Sequence, residues 1–556
     1  MKKGILAISA AAAIGGLGFS SAAHAVYYFG DSEEASFDGL VLGNIWGTSH
    51  RTQAANAVGV MLNEGGIGNY LFTPYFTTQG DNNTLVSLVN NDAVNGKIVK
   101  VRFRGAANSE DLLDFQVFLS PSDVWTASLT QGTDGRTVIT APDKSCTLPS
   151  LGTASEAERT FKTSRLVATY PTALGPVATT PAQLTAQTRE GYIEYLNMAD
   201  VVPGSPLFGA IKHVNGVAPC TPGMMALLSS TAEGSAGDAV STSNVNALGM
   251  SASSGGLSGT WSIFSNRQTK AFGDNHVAVE AVDRAGNPAR GRISYSPQLA
   301  SSITASGADS SIILNGTADP VLRASPNDVM WNDLPDMSTP VERGNTAPLN
   351  SINQLSATLS KDTVNNEFVA TAGAGAVPWD TDWVVAHATR RYNATLDANG
   401  GIAERPGNRF FSTNPVTGNL SPRVTAGGYM LCQSGTMIGY DREEGTAGVA
   451  FSPSSQFPFC GEVNTISFNR ASVALNASVT NQVVTLTTAP NNTPIQAGWA
   501  SLELRKNGRR GAMGAPVVGY AATSAVNTTS NGNFGYTNRH RWTRPAPNRE
   551  GIPVRG

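Results

Sequence analysis

Few side chains in this sequence are spaced for chemistry. Six histidines occur in 556 residues. Beyond His24 they are His50, His213, His276, His387 and His540, and none stands within a short metal-ligand spacing of another. There is no G-x-S-x-G elbow, no H-E-x-x-H pair and no P-loop. Each histidine therefore reads as a surface or hydrogen-bonded structural residue. A long-range triad, or two carboxylates held for glycoside hydrolysis, would have to be assembled by the fold. Carboxylates do cluster: Asp31 with Glu33 and Glu34, Glu110 and Asp111 with Asp114, and Asp328 with Asp333 and Asp336. Each set could offer oxygen ligands to Ca²⁺, but none has the glycine and twelfth-position glutamate of an EF-hand. Solvated turn carboxylates are the simpler reading. Asp328, Asp333 and Asp336 stand as the Ca²⁺ candidates; no other cofactor is indicated.

The basic residues offer a different chemistry. Lys97, Lys100, Arg102 and Arg104 crowd one stretch, and Arg539, Arg541, Arg544, Arg549 and Arg555 face Glu550 alone near the C-terminus. A grip on nucleic acid would need an overall basic excess. The formal net charge is -3 and charged residues make up only 14%, so nucleic acid is not an expected partner. Arginine forks in the tail suit phosphate groups such as those of lipopolysaccharide; a solvated, frayed terminus is the alternative. Among the tryptophans Trp331, Trp379, Trp383, Trp499 and Trp542, stacking on sugars competes with packing a core. Packing is expected for Trp383 and Trp499, whereas Trp542, in the polar tail, reads as a docking anchor.

The elements that must carry these residues are mostly strands. Val99, Val101 and Phe103 alternate with Lys100, Arg102 and Arg104, so the apolar trio should face a core and the basic trio solvent. Phe115, Val117 and Leu119 repeat the pattern beside Asp114 and Gln116. Further strands are expected at Leu85–Val89, Val124–Leu129, Thr137–Thr140, Gly191–Met198, Thr260–Ser265, His276–Val282, Ser311–Leu314, Trp383–Ala388, Val483–Thr488 and Trp499–Leu504. Helix is expected only at Ser155–Thr163 and Pro222–Leu228. The fold class is all-β: a multi-domain β-sandwich of the immunoglobulin-like kind, with few short helices and long loops. Ser229–Gly259 reads as a Ser/Gly-rich insertion, and Pro288–Ser310 as the soft boundary between regions 26–300 and 301–525. Residues 526–556 lack apolar periodicity and read as an extended basic tail.

The first 25 residues have two lysines, an apolar run and Ala23-His24-Ala25, the pattern of a cleaved signal peptide. No later stretch is long and apolar enough to span a bilayer as a helix. Export makes the four cysteines readable. Three connectivities are open; Cys146–Cys220 and Cys432–Cys460 are expected because each pair lies within one half of the chain.

Five blocks, Leu71–Asn90, Gly96–Leu129, Arg189–Val201, Thr381–Asn393 and Cys460–Asn469, together resemble a family of secreted cell-surface proteins of Gram-negative, betaproteobacterial cells. Its members include surface-layer proteins. The resemblance covers most of the mature chain, and Gly96–Leu129 is its most specific part. It implies a β-rich lattice protein that binds copies of itself and coats the outer membrane, without enzyme activity. No cell-wall-binding repeats are present, so attachment would be to lipopolysaccharide or another outer-membrane component. On this reading Lys100, Arg102, Arg104, Arg539, Arg541, Trp542 and Arg544 are the surface or assembly candidates. Calcium dependence, common in surface layers, has no confirming motif. An adhesin or glycan-binding protein is the alternative. A porin-like barrel is a weaker one, because the strands are shorter than the roughly 9–11 residues such barrels use.

Overall fold

The computed structural model describes residues 27–29, 56–163, 166, 180–229, 245–265, 267–295, 298, 335–337, 339, 341–342, 348–371, 377–396, 402–404, 410–411, 420–425, 428–443, 446–448, 457–488, 491–504, 514–527 and 532–543. The expected leader, the strand at Ser311–Leu314 and the clusters at Asp31–Glu34 and Asp328–Asp333 lie outside them. Strands make up 50% and helices 11%, in several antiparallel sheets, each an open path rather than a closed barrel. The chain is an all-β, multi-sheet protein.

Two sheets form a sandwich from the first half of the chain. One has eight strands. Its long centre is Tyr70–Thr77, Glu190–Val201, Gly96–Gly105 and Asp111–Leu119, with Val277–Val282 and Gly59–Asn63 beyond one end and Cys146–Leu148 at the other. The other has six strands, including Lys270–Asn275, Thr260–Ser265, Asn82–Asn90, Val124–Gln131 and Thr137–Thr140. Period-two alternation explains their packing. Trp125, Ala127 and Leu129 turn inward while Val124 and Thr126 are exposed. Phe115 of the larger sheet meets Trp125 of the smaller with ring centroids 5.8 Å apart. Gly191 sits where a Cβ would come within 1.8 Å of the Arg104 carbonyl oxygen; glycine there lets the Glu190–Val201 strand close on the basic strand.

The second half contributes a seven-stranded sheet, centred on Gly428–Asp441, Ala497–Glu503 and Thr363–Val369, and a five-stranded one. The latter runs Asn481–Val484, Val463–Phe468, Trp379–Ala386, Val518–Ala525, Phe534–Arg539. The three central strands of this sheet are buried on both faces. Val384, Ala386, Val518, Tyr520 and Ala522 join the core of the N-terminal sandwich, while Trp383, Val385, Ile466, Phe468 and Ala521 join the core under the seven-stranded sheet. The expected regions 26–300 and 301–525 are therefore not separate packing units; one core crosses residue 300. Such a doubly buried strand reads as a near-continuous apolar run, as Trp-Val-Val-Ala does at 383–386.

Several expectations change in detail. Of the helix expected at Ser155–Thr163 only Glu156–Arg159 forms, behind a capping box on Ser155. Pro222–Leu228 is helical as expected. The twelve-residue helix Pro348–Leu359 was not anticipated; Ile352, Leu355 and Leu359 bury its core face. Of the Ser229–Gly259 insertion, the described end is not a free loop: Met250–Ser251 pairs with Glu190–Val201, and Leu257–Ser258 with Asn82–Asn90. Within the soft boundary, Ile293–Tyr295 pairs with Tyr27–Phe29. The disulfides are Cys146–Cys220 and Cys432–Cys460, as expected.

Candidate functional site

Lys97, Lys100, Arg102 and Arg104 are buried, with at most 3% of their surface exposed. This corrects the expectation of a solvated basic face. The alternation itself holds, with Val99, Val101 and Phe103 in the sandwich core. The opposite face of the sheet is roofed as well. Gln298, Pro335, Asp336 and the turn after Trp379–Ala386, from His387 to Asn393, cover it. A strand buried on two sides can still alternate apolar and charged residues if the second side is a layer of paired charges.

The pairing is regular. Arg102 lies opposite Asp114, and Arg104 opposite Asp111. Yet Lys100 reaches Asp114 and Arg102 reaches Asp111, each one step along the neighbouring strand, within the diagonal reach of long side chains. Lys97 binds Asp200 at 2.8 Å, and Arg290 shares that carboxylate at 3.3 Å. Arg104 is the hub. Its Nε lies 3.2 Å from Glu194, its guanidinium donates to the Tyr392 hydroxyl at 2.8 Å and to the Ser109 carbonyl oxygen at 3.2 Å, and Asp336 stands 3.9 Å away. Tyr392 and Tyr192 donate to Glu194 at 3.1 and 3.3 Å. Burial opposes the charge on Arg104, but Glu194 above all holds its pKa well above the ordinary arginine value. Beside this hub Arg390 binds Glu462 at 3.1 Å. Burial, then the Arg390 charge, pushes the His387 imidazole well below its usual range.

This layer joins the two halves of the chain electrostatically. Arg104 and Glu194 come from the first half, Tyr392 and Asp336 from the second. Its charges are paired and out of contact with bulk water. Lys100, Arg102 and Arg104 cannot hold a polymer or face a neighbouring copy. Asp336, offered as a Ca²⁺ ligand, instead stands beside Arg104; its companions Asp328 and Asp333 lie outside the described residues. Glu110 accepts the Asn108 backbone N–H at 3.2 Å, and Asp111 and Asp114 are ion-paired. Among the described residues no group of three or more His, Cys, Asp or Glu side chains is placed to hold a metal ion.

The tail is also corrected. Phe534–Arg539 adds an edge strand to Val518–Ala525, and Arg541–Thr543 pairs with Thr363–Val369. Arg539 forks onto Asp274 of the N-terminal sandwich at 2.7 and 2.8 Å. Arg541 remains 79% exposed. Trp542 is half-buried, with the Lys361 ammonium 4.4 Å from its ring centroid, so it is tied to the body rather than free to anchor a partner. Arg544, Arg549 and Arg555 lie outside the described residues. Trp383 is buried, with Nε1 donating to the Glu367 carbonyl oxygen at 3.0 Å. Trp499, expected in the core, is 42% exposed and stacks on Tyr440 at 4.2 Å; the outer face of its strand meets solvent. Trp379 meets Phe534 edge-on at 5.0 Å. Trp331 lies outside the described residues.

His213, His276 and His540 are hydrogen-bonded. His276 Nδ1 is 3.0 Å from the Thr73 hydroxyl and Nε2 2.8 Å from the Ser87 carbonyl oxygen; burial lowers its pKa to about 4. His540 Nε2 is 2.9 Å from the Val384 carbonyl oxygen, and burial likewise lowers it to about 4. His213 bonds the Ser120 hydroxyl at 3.0 Å. Sequence reasoning missed Glu194, Asp200, Tyr392 and the Arg390–Glu462 pair. For Glu194 and Asp200 the one signal was the alternation of acids with apolar residues in Arg189–Val201, which a half-exposed strand would show equally; Tyr392, Arg390 and Glu462 carried no such signal.

Fold and site together define a disulfide-bonded, all-β scaffold with an internal layer of paired charges. Compared with family models, curated proteins and solved structures, the chain matches none. No described helix is long and apolar enough to cross a membrane.

Proposed function

We propose that this chain is a structural surface-layer protein, exported and assembled from many copies into a lattice on the outer membrane. One observation carries the reading. The five sequence blocks that resemble secreted surface-layer proteins converge on the frame of the molecule. Leu71–Asn90, Gly96–Leu129 and Arg189–Val201 supply the central strands of the sandwich. Thr381–Asn393 supplies the doubly buried strand and the turn roofing the charge layer, and Cys460–Asn469 the strand beside it. The likeness thus lies in what makes the body stiff, and stiffness is what a repeating coat requires. Two disulfides suit an oxidising exterior. Open arrays need head-to-tail contacts between unlike faces of the same chain, and lipopolysaccharide or another anionic outer-membrane component would hold the array.

Electron microscopy of the purified mature protein, with and without Ca²⁺, and of intact cells tests the reading. Ordered two-dimensional arrays in both preparations are expected. A product that stays monomeric under every assembly condition, with no lattice on cells, would overturn it.

A further inference from the structure

Where the tail strands close on the N-terminal sandwich they leave a cleft of about 350 Å³. That is the small end of the range for small-molecule sites, roughly 300–1,000 Å³. One side comes from the strands around Trp261 and His276, the other from Val518–Ala525 and the tail residues Arg539, His540 and Trp542. From this geometry we infer that the cleft is a binding site for a neutral, hydroxyl-rich ligand: a monosaccharide or the terminal sugar of a surface glycan.

Three features select that chemistry. First, the lining holds three aromatic rings, of which the half-buried Trp542 presents accessible surface. Trp261 and Tyr520 pack together with ring centroids 4.5 Å apart, and Trp542 adds a third ring. Aromatic rings suit the aliphatic C–H surface of a sugar as they suit other apolar bodies. Second, two polar atoms there have no protein partner. Trp261 Nε1 and the Tyr520 hydroxyl are buried and unbonded, on side chains each 1% exposed. Leaving such a group unmet costs about 1–3 kcal/mol, so one N–H donor and one hydroxyl able to donate or accept stand unmet just behind the lining, where a ligand that displaces it slightly can reach them. A sugar hydroxyl, which does both, can meet either. Third, the cleft carries no net charge. Glu64 and Asp274 balance Lys361 and Arg539, and Asp274 with Arg539 already forms a two-bond pair. The two histidines in the lining have both ring nitrogens engaged, and burial keeps them neutral near pH 7. The walls favour neither an anion nor a cation.

This inference goes beyond the lattice reading and stands whether or not the chain assembles. The test is calorimetric and saturation-transfer NMR titration of the purified mature chain. The probes are glucose, galactose, mannose and rhamnose, then neutral oligosaccharides ending in the sugar bound best, with glucuronate and glucosamine as charged comparators. Saturable binding of a neutral sugar is expected. Tyr520→Phe, which removes only the unbonded hydroxyl, should weaken it about three- to tenfold while leaving the thermal midpoint unchanged or raised. Tighter binding of the oligosaccharide than of its terminal sugar assigns the ligand to a surface glycan; equal binding assigns it to the free sugar. Either result supports the site. It is overturned if no neutral sugar saturates at tens of millimolar, if only the charged sugars bind, or if Tyr520→Phe binds like the wild type.

Discussion

Arg104 shows how the energetics of single residues are set. A buried ion pair contributes little against an apolar substitute for both partners, but removing one partner strands the other charge, at a cost of about 3–5 kcal/mol. Arg104→Leu should therefore destabilise by about that amount through Glu194. The double variant Arg104→Leu/Glu194→Leu should recover part of it, a coupling that urea titrations of the four proteins would measure. Charge reversal at Lys100, Arg102 and Arg104 together is expected to abolish folding rather than block assembly alone; circular dichroism separates the two. The buried histidines set a pH dependence. His276 and His540 titrate near 4 in the fold against 6.5 in the unfolded chain. The unfolded state thus takes up protons first as pH falls. Their contribution is fully present above 6.5 and is lost as pH falls through that value toward 4. Each histidine should lower the unfolding free energy by about 0.7 kcal/mol per pH unit at pH 6.5, rising to about 1.2 by pH 5. Denaturant titrations between pH 6.5 and 5, above the carboxylate range, check the slope; a flat profile would count against neutral, buried imidazoles.

The tail and the disulfides matter as elements. The tail strands close one edge of the five-stranded sheet, where Arg539 pairs with Tyr520 and His540 packs edge-on against Trp383. Ending the chain at Asn527 should cost about 3 kcal/mol or more from lost apolar burial and lower the midpoint in differential scanning fluorimetry. An unchanged midpoint would mean that these strands add nothing to the body. Residues 534–543 escaped sequence reading because an edge strand is half exposed, so Phe534 and Tyr536 alternate with polar neighbours instead of marking a core face. The disulfides bridge sequence separations of 74 and 28 residues. In the chain-entropy model, Cys146→Ser/Cys220→Ser should lose about 4 kcal/mol and Cys432→Ser/Cys460→Ser slightly less. The paired variants in non-reducing denaturant titrations test the order.

At the scale of the whole molecule, one core and one charge layer cross the midpoint of the chain. Residues 26–300 expressed alone would expose the face that packs on Val384, Ala386 and Tyr520 and would leave Arg104 without Tyr392. Neither 26–300 nor 301–556 should fold alone, and the intact chain should unfold in one main transition. Calorimetry showing two well-separated transitions would overturn this. The alternation in Gly96–Gly105 and Arg189–Val201 was enough to predict strands, because it follows from local geometry; the cysteine pairing was favoured only by the position of each pair in one half of the chain. Which side of a strand meets water does not. It depends on residues about 200–300 positions away, Pro335, Asp336 and His387–Asn393, arriving over the sheet. The sequence by itself determined an all-β chain and its strand periodicity, and it favoured, without fixing, the disulfide pairing that the structure shows. Only the tertiary structure decided that the basic strand is an internal joint and the C-terminal strands part of the body, because burial is a property of what packs across a face and not of the residues on it.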